Sequence, residues 1–140
     1  MIPKFRFFGK VADGEMRMVT AHCIDFENGF IYYSYRSYTV EGDECADGDV
    51  IGLEDCVLMQ STGLKDKNGK EIFEGDILKC TSFDGSFWYE TVLWDSTLAG
   101  FATQQNGYDA TAISYTTDSK AIAIEVIGDI YRNPELLEEL

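Results

Sequence analysis

The sequence predicts a mostly β protein, a barrel-like or curved antiparallel sheet with a short C-terminal helix. Three observations carry that expectation. Residues alternate with a period of two along much of the chain. Asn-Gly pairs at 28–29 and 68–69 punctuate runs rich in β-branched and aromatic side chains. The one clear helix start, Asn133-Pro134, comes near the end.

Lys4-Phe5-Arg6-Phe7-Phe8 reads as a first strand and Met18 to Phe26 as a second. Glu27-Asn28-Gly29 then leads into Phe30 to Tyr35. A type I′ turn needs positive φ at both central residues, so a hairpin is expected with Asn28-Gly29 at its tip. Residues 41–55, opening with Glu41-Gly42-Asp43-Glu44-Cys45-Ala46-Asp47-Gly48-Asp49, break the pattern and read as an acidic surface loop. Cys56 to Gln60 resumes as strand. Asp66-Lys67-Asn68-Gly69 is a second turn, and Ile77 to Thr81 is a strand leaving the Glu74-Gly75-Asp76 corner.

Ser86 to Asp95 alternates Phe87, Tyr89, Thr91 and Leu93 with Trp88, Val92 and Trp94, interrupted by Glu90. A long central strand is expected there. Leu98 to Thr103 pairs with it, and Gln104 to Gly107 is loop. Ala121 to Gly128 is short and apolar, and its β-branched residues make it a strand. At the end, Asn133 is a favoured N-cap and Pro134 suits the first helical position, with Leu136, Leu137 and Leu140 spaced to pack one face.

The 140 residues fit one domain, 1–140, and 45% hydrophobic content supports a sizeable core. Eleven basic residues against 25 acidic ones leave a net charge of −14. Residues 41–56 hold seven acids and no base, whereas 57–80 is neutral. With no basic cluster, nucleic-acid binding and docking on anionic lipid are both disfavoured. No apolar run approaches the roughly 18 residues of a spanning helix.

The cysteines at 23, 45, 56 and 80 contain no C-x-x-C, and a single histidine accompanies them. A structural zinc is therefore not expected. Met1 to Lys10 lacks the apolar stretch of a secretory signal, so the cysteines read as reduced thiols of a cytoplasmic protein.

Three constellations have chemical potential. From Asp43 to Glu54 the register places Asp43 first, Asp47 fifth, Gly48 sixth, Val50 eighth and Glu54 twelfth, which resembles a calcium-binding EF-hand loop. Cys45 at the third position offers a soft thiol to a hard cation, and the flanks are not helical, so a solvated acidic loop is the plainer reading. His22 and Cys23 are neighbours in an expected strand and point to opposite faces, which rules out a dyad between them. Tyr32, Tyr33, Tyr35, Tyr38, Trp88, Tyr89 and Trp94 offer a stacking platform, though strand-spaced aromatics serve more often as core. No catalytic, cofactor-binding or metal-binding residues are assigned, and no cofactor is expected.

Two blocks carry a resemblance. Val57-Leu58-Met59-Gln60-Ser61-Thr62-Gly63-Leu64-Lys65-Asp66-Lys67-Asn68-Gly69-Lys70-Glu71-Ile72-Phe73-Glu74-Gly75-Asp76-Ile77 is followed near the end by Glu125-Val126-Ile127-Gly128-Asp129-Ile130-Tyr131-Arg132-Asn133-Pro134-Glu135-Leu136-Leu137. With the opening Lys4-Phe5-Arg6, these resemble the YopX family of phage and prophage proteins. Ser61 replaces the usual aromatic, Asp129 replaces Asn, Arg132 replaces Glu, and Phe8 stands where the family usually has tryptophan. The resemblance implies a single YopX-like domain with a mostly β, barrel-like fold and brings no catalytic residues across. Read physically, the central block is turns plus apolar anchors, which specify a fold more than a reaction centre.

The expectation for function is a phage or prophage accessory protein that works in the bacterial cytoplasm as a non-enzymatic protein-binding module. It is expected to be a homo-oligomer with a host or phage protein as partner, without direct nucleic-acid or membrane binding. Two alternatives stand beside it: an acidic decoy that inhibits a host nucleic-acid-binding protein, and a nucleotide-binding sponge or hydrolase.

Overall fold

A computed structural model describes residues 2–34 and 48–138. Contacts divide the chain into two compact units, Met1–Gln60 and Ser61–Leu140. The mostly β class is borne out, with antiparallel pairing throughout, a curled half-barrel sheet and a short helix near the C-terminus.

In the first unit, β1 (Phe5–Lys10) lies between β2 (Met16–Thr20) and the first half of β6 (Cys56–Lys65). β3 (Cys23–Asp25), β4 (Phe30–Tyr33) and β5 (Asp49–Gly52) form a separate three-stranded sheet. Phe7, Val11, Val19, Ile31, Tyr33 and Ile51 make the core, with Phe7 edge-on to Tyr33 at 5.3 Å. Gly9 is required by close approach, since a Cβ there would lie 2.8 Å from the Cys56 Cβ and 2.9 Å from Ile51 Cδ1.

Three expectations are corrected in this unit. The strand expected over 18–26 is two strands in different sheets, because the chain turns at Ala21-His22 and β3 pairs with β4 instead of β1. The Asn28-Gly29 hairpin exists, but Asp25 and Phe30 close a longer turn over 26–29, in which Gly29 alone has positive φ. Asp25 dictates that geometry: its carboxylate accepts Asn28 N at 3.0 Å and Asn28 Nδ2 at 2.8 Å. Residues 49–52, expected within the acidic loop, are β5, whose Ile51 is a buried anchor opposite Ile31. Acidity masked a short alternating strand.

The second unit begins in the remainder of β6, which pairs with β7 (Glu71–Phe73) across the expected Asp66–Gly69 turn. β8 (Asp76–Thr81), β9 (Phe87–Asp95), β10 (Gly100–Gln104), β11 (Thr111–Ala112) and β12 (Ala123–Asp129) form a sheet in the order β11-β10-β9-β8-β12. Ile72, Leu78, Cys80, Val92, Ile113 and Ile124 are its core. A short helix, α1 (Ile113–Tyr115), continues into a π-helical turn, Thr116–Lys120. Its β-branched and hydroxylated residues have poor helix propensity, so no helix was legible there.

The C-terminal helix is a single 3-10 turn, Pro134–Leu137. Asn133 precedes it as expected but does not cap it, because its Oδ1 instead accepts Asp129 N at 3.2 Å.

Buried aspartates fix the turns of the second unit. Asp66 Oδ1 accepts Asn68 N and Lys70 N, and its Oδ2 accepts Val126 N. Asp76 Oδ2 accepts Phe73 N at 2.8 Å. Asp129 Oδ1 accepts Tyr131 N and Arg132 N. Each accepts backbone N–H groups that would otherwise need water or another partner.

Candidate functional site

Polar chemistry concentrates behind β9. Trp88, Glu90 and Val92 share the inner face of that strand, so the residue that interrupted the sequence alternation is an inward carboxylate, only 1% exposed. The π-helical turn brings Thr116 and Lys120 to it. Lys120 Nζ lies 3.2 Å from Glu90 Oε2, Trp88 Nε1 donates to Oε2 at 2.6 Å, and Thr116 Oγ1 donates to Oε1 at 3.3 Å. The Thr116 and Thr103 hydroxyls share a further bond of 2.8 Å. Lys120 also sits over the Trp88 ring.

Every polar group of this cluster has a partner, and its carboxylate is enclosed. Cys80 lies on the same inner face of the sheet, fully buried. Burial above all, and then the Glu90 carboxylate, push its thiol up to about 12 against the opposing pull of Lys120. A thiol so protonated is no nucleophile at neutral pH. The cluster therefore fastens the helical turn to the sheet.

His22 and Cys23 are both exposed, with His22 at the bend before β3 and not within a strand. Asp43, Cys45 and Asp47 lie outside the described residues. Gly48 precedes β5, Val50 is within it and Glu54 stands in a 3-10 turn, Leu53–Asp55, so a strand and a short turn occupy the second half of the segment. Among the described residues, no group of three or more His, Cys, Asp or Glu is placed to hold a metal ion. Nor is any described helix long and apolar enough to cross a membrane.

Among the described residues, the aromatics weighed as a stacking platform, for which core is the preferred reading, do not share one face within either unit. Tyr35 and Tyr38 lie outside the described residues. Tyr33 points into the first unit's core, and Tyr89 faces away from Trp88 and Trp94 on β9, with Trp94 packed edge-on to Phe101 at 5.2 Å.

What is assembled at the surface is the outer face of β3-β4-β5. Ile24, Ile31 and Ile51 pair in register toward the interior, which turns two other rows outward: Cys23, Tyr32 and Val50, then Asp25, Phe30 and Gly52. Phe30, Tyr32 and Val50 are 42%, 46% and 43% exposed. Contiguous apolar side chains on a sheet face are the chemistry of a docking surface.

The sequence model of the YopX protein family matches residues 4–138. The crystal structure of protein EF1440 from Enterococcus faecalis is similar over 98% of this chain and 99% of that one, with 27% identity and a TM-score of 0.57. No curated protein matches the chain.

Proposed function

The chain belongs to the YopX family, and from that premise we propose that it is a non-enzymatic protein-binding module, a phage or prophage accessory protein acting in the host cytoplasm. The observation that carries this reading is the outward row Cys23-Tyr32-Val50 beside Phe30, presented on a sheet whose other face is a packed core. The buried, saturated cluster at Glu90 supports it, because its polar groups serve packing. The partner is a host or phage protein, and self-association accompanies it.

Light scattering after size-exclusion chromatography and pull-down from host lysate test the reading, with wild type and Tyr32→Lys compared. Capture of a discrete partner that Tyr32→Lys abolishes supports it. A strict monomer that captures nothing overturns it.

A further inference from the structure

We propose that the groove beside Phe30 receives an arginine or lysine side chain from a basic, partly apolar segment of a protein partner. This rests on the protein-binding reading and names the partner's chemistry.

The geometry lies in the second outward row. Phe30 is directly opposite Asp25 on one side and Gly52 on the other. Gly52 has no side chain, and its place is taken: a Cβ there would lie 2.7 Å from Asp55 Oδ2. An exposed aromatic ring thus stands between Asp25 on β3 and the Asp55 carboxylate over β5. Asp25 is held in position by Asn28, whose side-chain amide and then backbone N–H keep the carboxyl below its usual range. A groove of about 450 Å³ runs here from the turn at Asn28 past Phe30 to Leu53, Glu54 and Asp55.

Charge chooses the occupant. Residues 23–34 and 48–55 include Asp25, Glu27, Asp49, Glu54 and Asp55 and no Lys or Arg. A ring face with flanking carboxylates is the environment that a guanidinium or ammonium favours, combining cation–π attraction with charge-assisted hydrogen bonds. The adjacent row, Cys23-Tyr32-Val50, lies two residues along each strand, roughly 7 Å away, and accepts an apolar side chain next to the cationic one. A free cation leaves that row uncovered, and a polynucleotide is repelled. A second copy, itself at −14, meets like charge.

The full chain is titrated with a fluorescent peptide of alternating arginine and leucine, with the same peptide carrying citrulline for arginine, and with one carrying glutamate for arginine. The arginine peptide binds, weakens as salt rises, and binds about tenfold better than the citrulline peptide. Phe30→Leu keeps an apolar side chain, and Asp55→Asn keeps the shape. Each weakens the arginine peptide several-fold and leaves binding of the citrulline peptide unchanged, while circular dichroism shows both variants folded. Equal affinity for arginine and citrulline peptides, or wild-type binding by both variants, overturns the inference. So does sedimentation showing a dimer that Phe30→Leu dissociates, which assigns this face to self-association. If the peptides fail while Tyr32-dependent capture of a partner persists, the groove assignment falls alone. If both fail, the protein-binding reading falls with it.

Discussion

Arg132 Nε donates to Asp129 Oδ2 at 2.7 Å, so the two residues that depart from the usual YopX ending, where Asn and Glu are typical, are partners in one ion pair. Asp129 is fully buried, whereas the Arg132 side chain is half exposed. A half-exposed pair is worth little in itself, and the larger contribution comes from Asp129 as acceptor of two backbone N–H groups.

A double-mutant cycle separates these roles. Asp129→Asn alone leaves an amide N–H facing the guanidinium and is expected to cost about 1–2 kcal/mol. Arg132→Glu alone sets a second carboxylate beside Asp129. The double variant restores the family pairing, an amide donor facing a carboxylate, and should be less destabilised than the sum of the singles by about 0.5–1 kcal/mol in urea unfolding. Strict additivity would show that the two departures are independent.

The Glu90 cluster yields a prediction about stability. Glu90→Ala removes the acceptor for Lys120, Trp88 and Thr116 together and is expected to destabilise the second unit by about 3–5 kcal/mol, toward the lower end because Lys120 reaches water. Glu90→Gln retains the shape and costs less. Trp88 fluorescence reports on both, since its indole N–H donates to the lost carboxylate. A Glu90→Ala variant as stable as wild type would show that the cluster contributes nothing to fastening the helical turn.

Much of this was legible in the sequence, though unevenly. Strand period and turn residues marked β1, β8, β9, β10 and β12, because β-branched and aromatic runs bounded by turn residues are local signals. β5 was hidden by Asp49 and the acids around it, for Asp49 satisfies Val50 N locally and only Ile51 anchors the strand. The inward Glu90 was visible as an interruption at an inner-face position, but its meaning required Lys120, 30 positions later on a turn that propensity disfavours. The buried aspartates read as ordinary turn residues, since nothing local shows that Asp66 reaches Val126. The outward rows of β3-β4-β5 depend on register, which hydrophobic alternation supplied only once β5 was known to pair with β4.

Thiol reactivity separates the cysteines. Cys80 is fully buried, its thiol pushed up to about 12 chiefly by burial and then by Glu90, while Cys23 is exposed. At pH 8 in native conditions, alkylation followed by peptide mass spectrometry should label Cys23 and leave Cys80 unmodified until denaturant is added. Rapid native labelling of Cys80 would contradict its enclosure behind β9. The Glu90→Ala variant, by loosening the helical turn, should speed Cys80 labelling more than that of Cys23.

The contact between Asp66 and Val126, 60 positions apart, predicts an acid dependence. Burial alone would raise the Asp66 carboxyl, but the N–H groups of Val126, Lys70 and Asn68 outweigh it and bring the pKa below 3.8. A group whose pKa is lower in the folded state stabilises the fold above the unfolded value, and that stabilisation fades as pH falls through the lower folded one. Asp66→Asn should therefore cost about 1–3 kcal/mol at neutral pH, where the charged acceptor is lost. Its stability should also decline less steeply than wild type below about pH 4. Hydrogen exchange localises the effect, since the Val126 amide should exchange faster in the variant while amides in β9 and β10 change little. Equal acid sensitivity in both proteins would mean that the Asp66 carboxylate does not join the β6–β7 turn to β12.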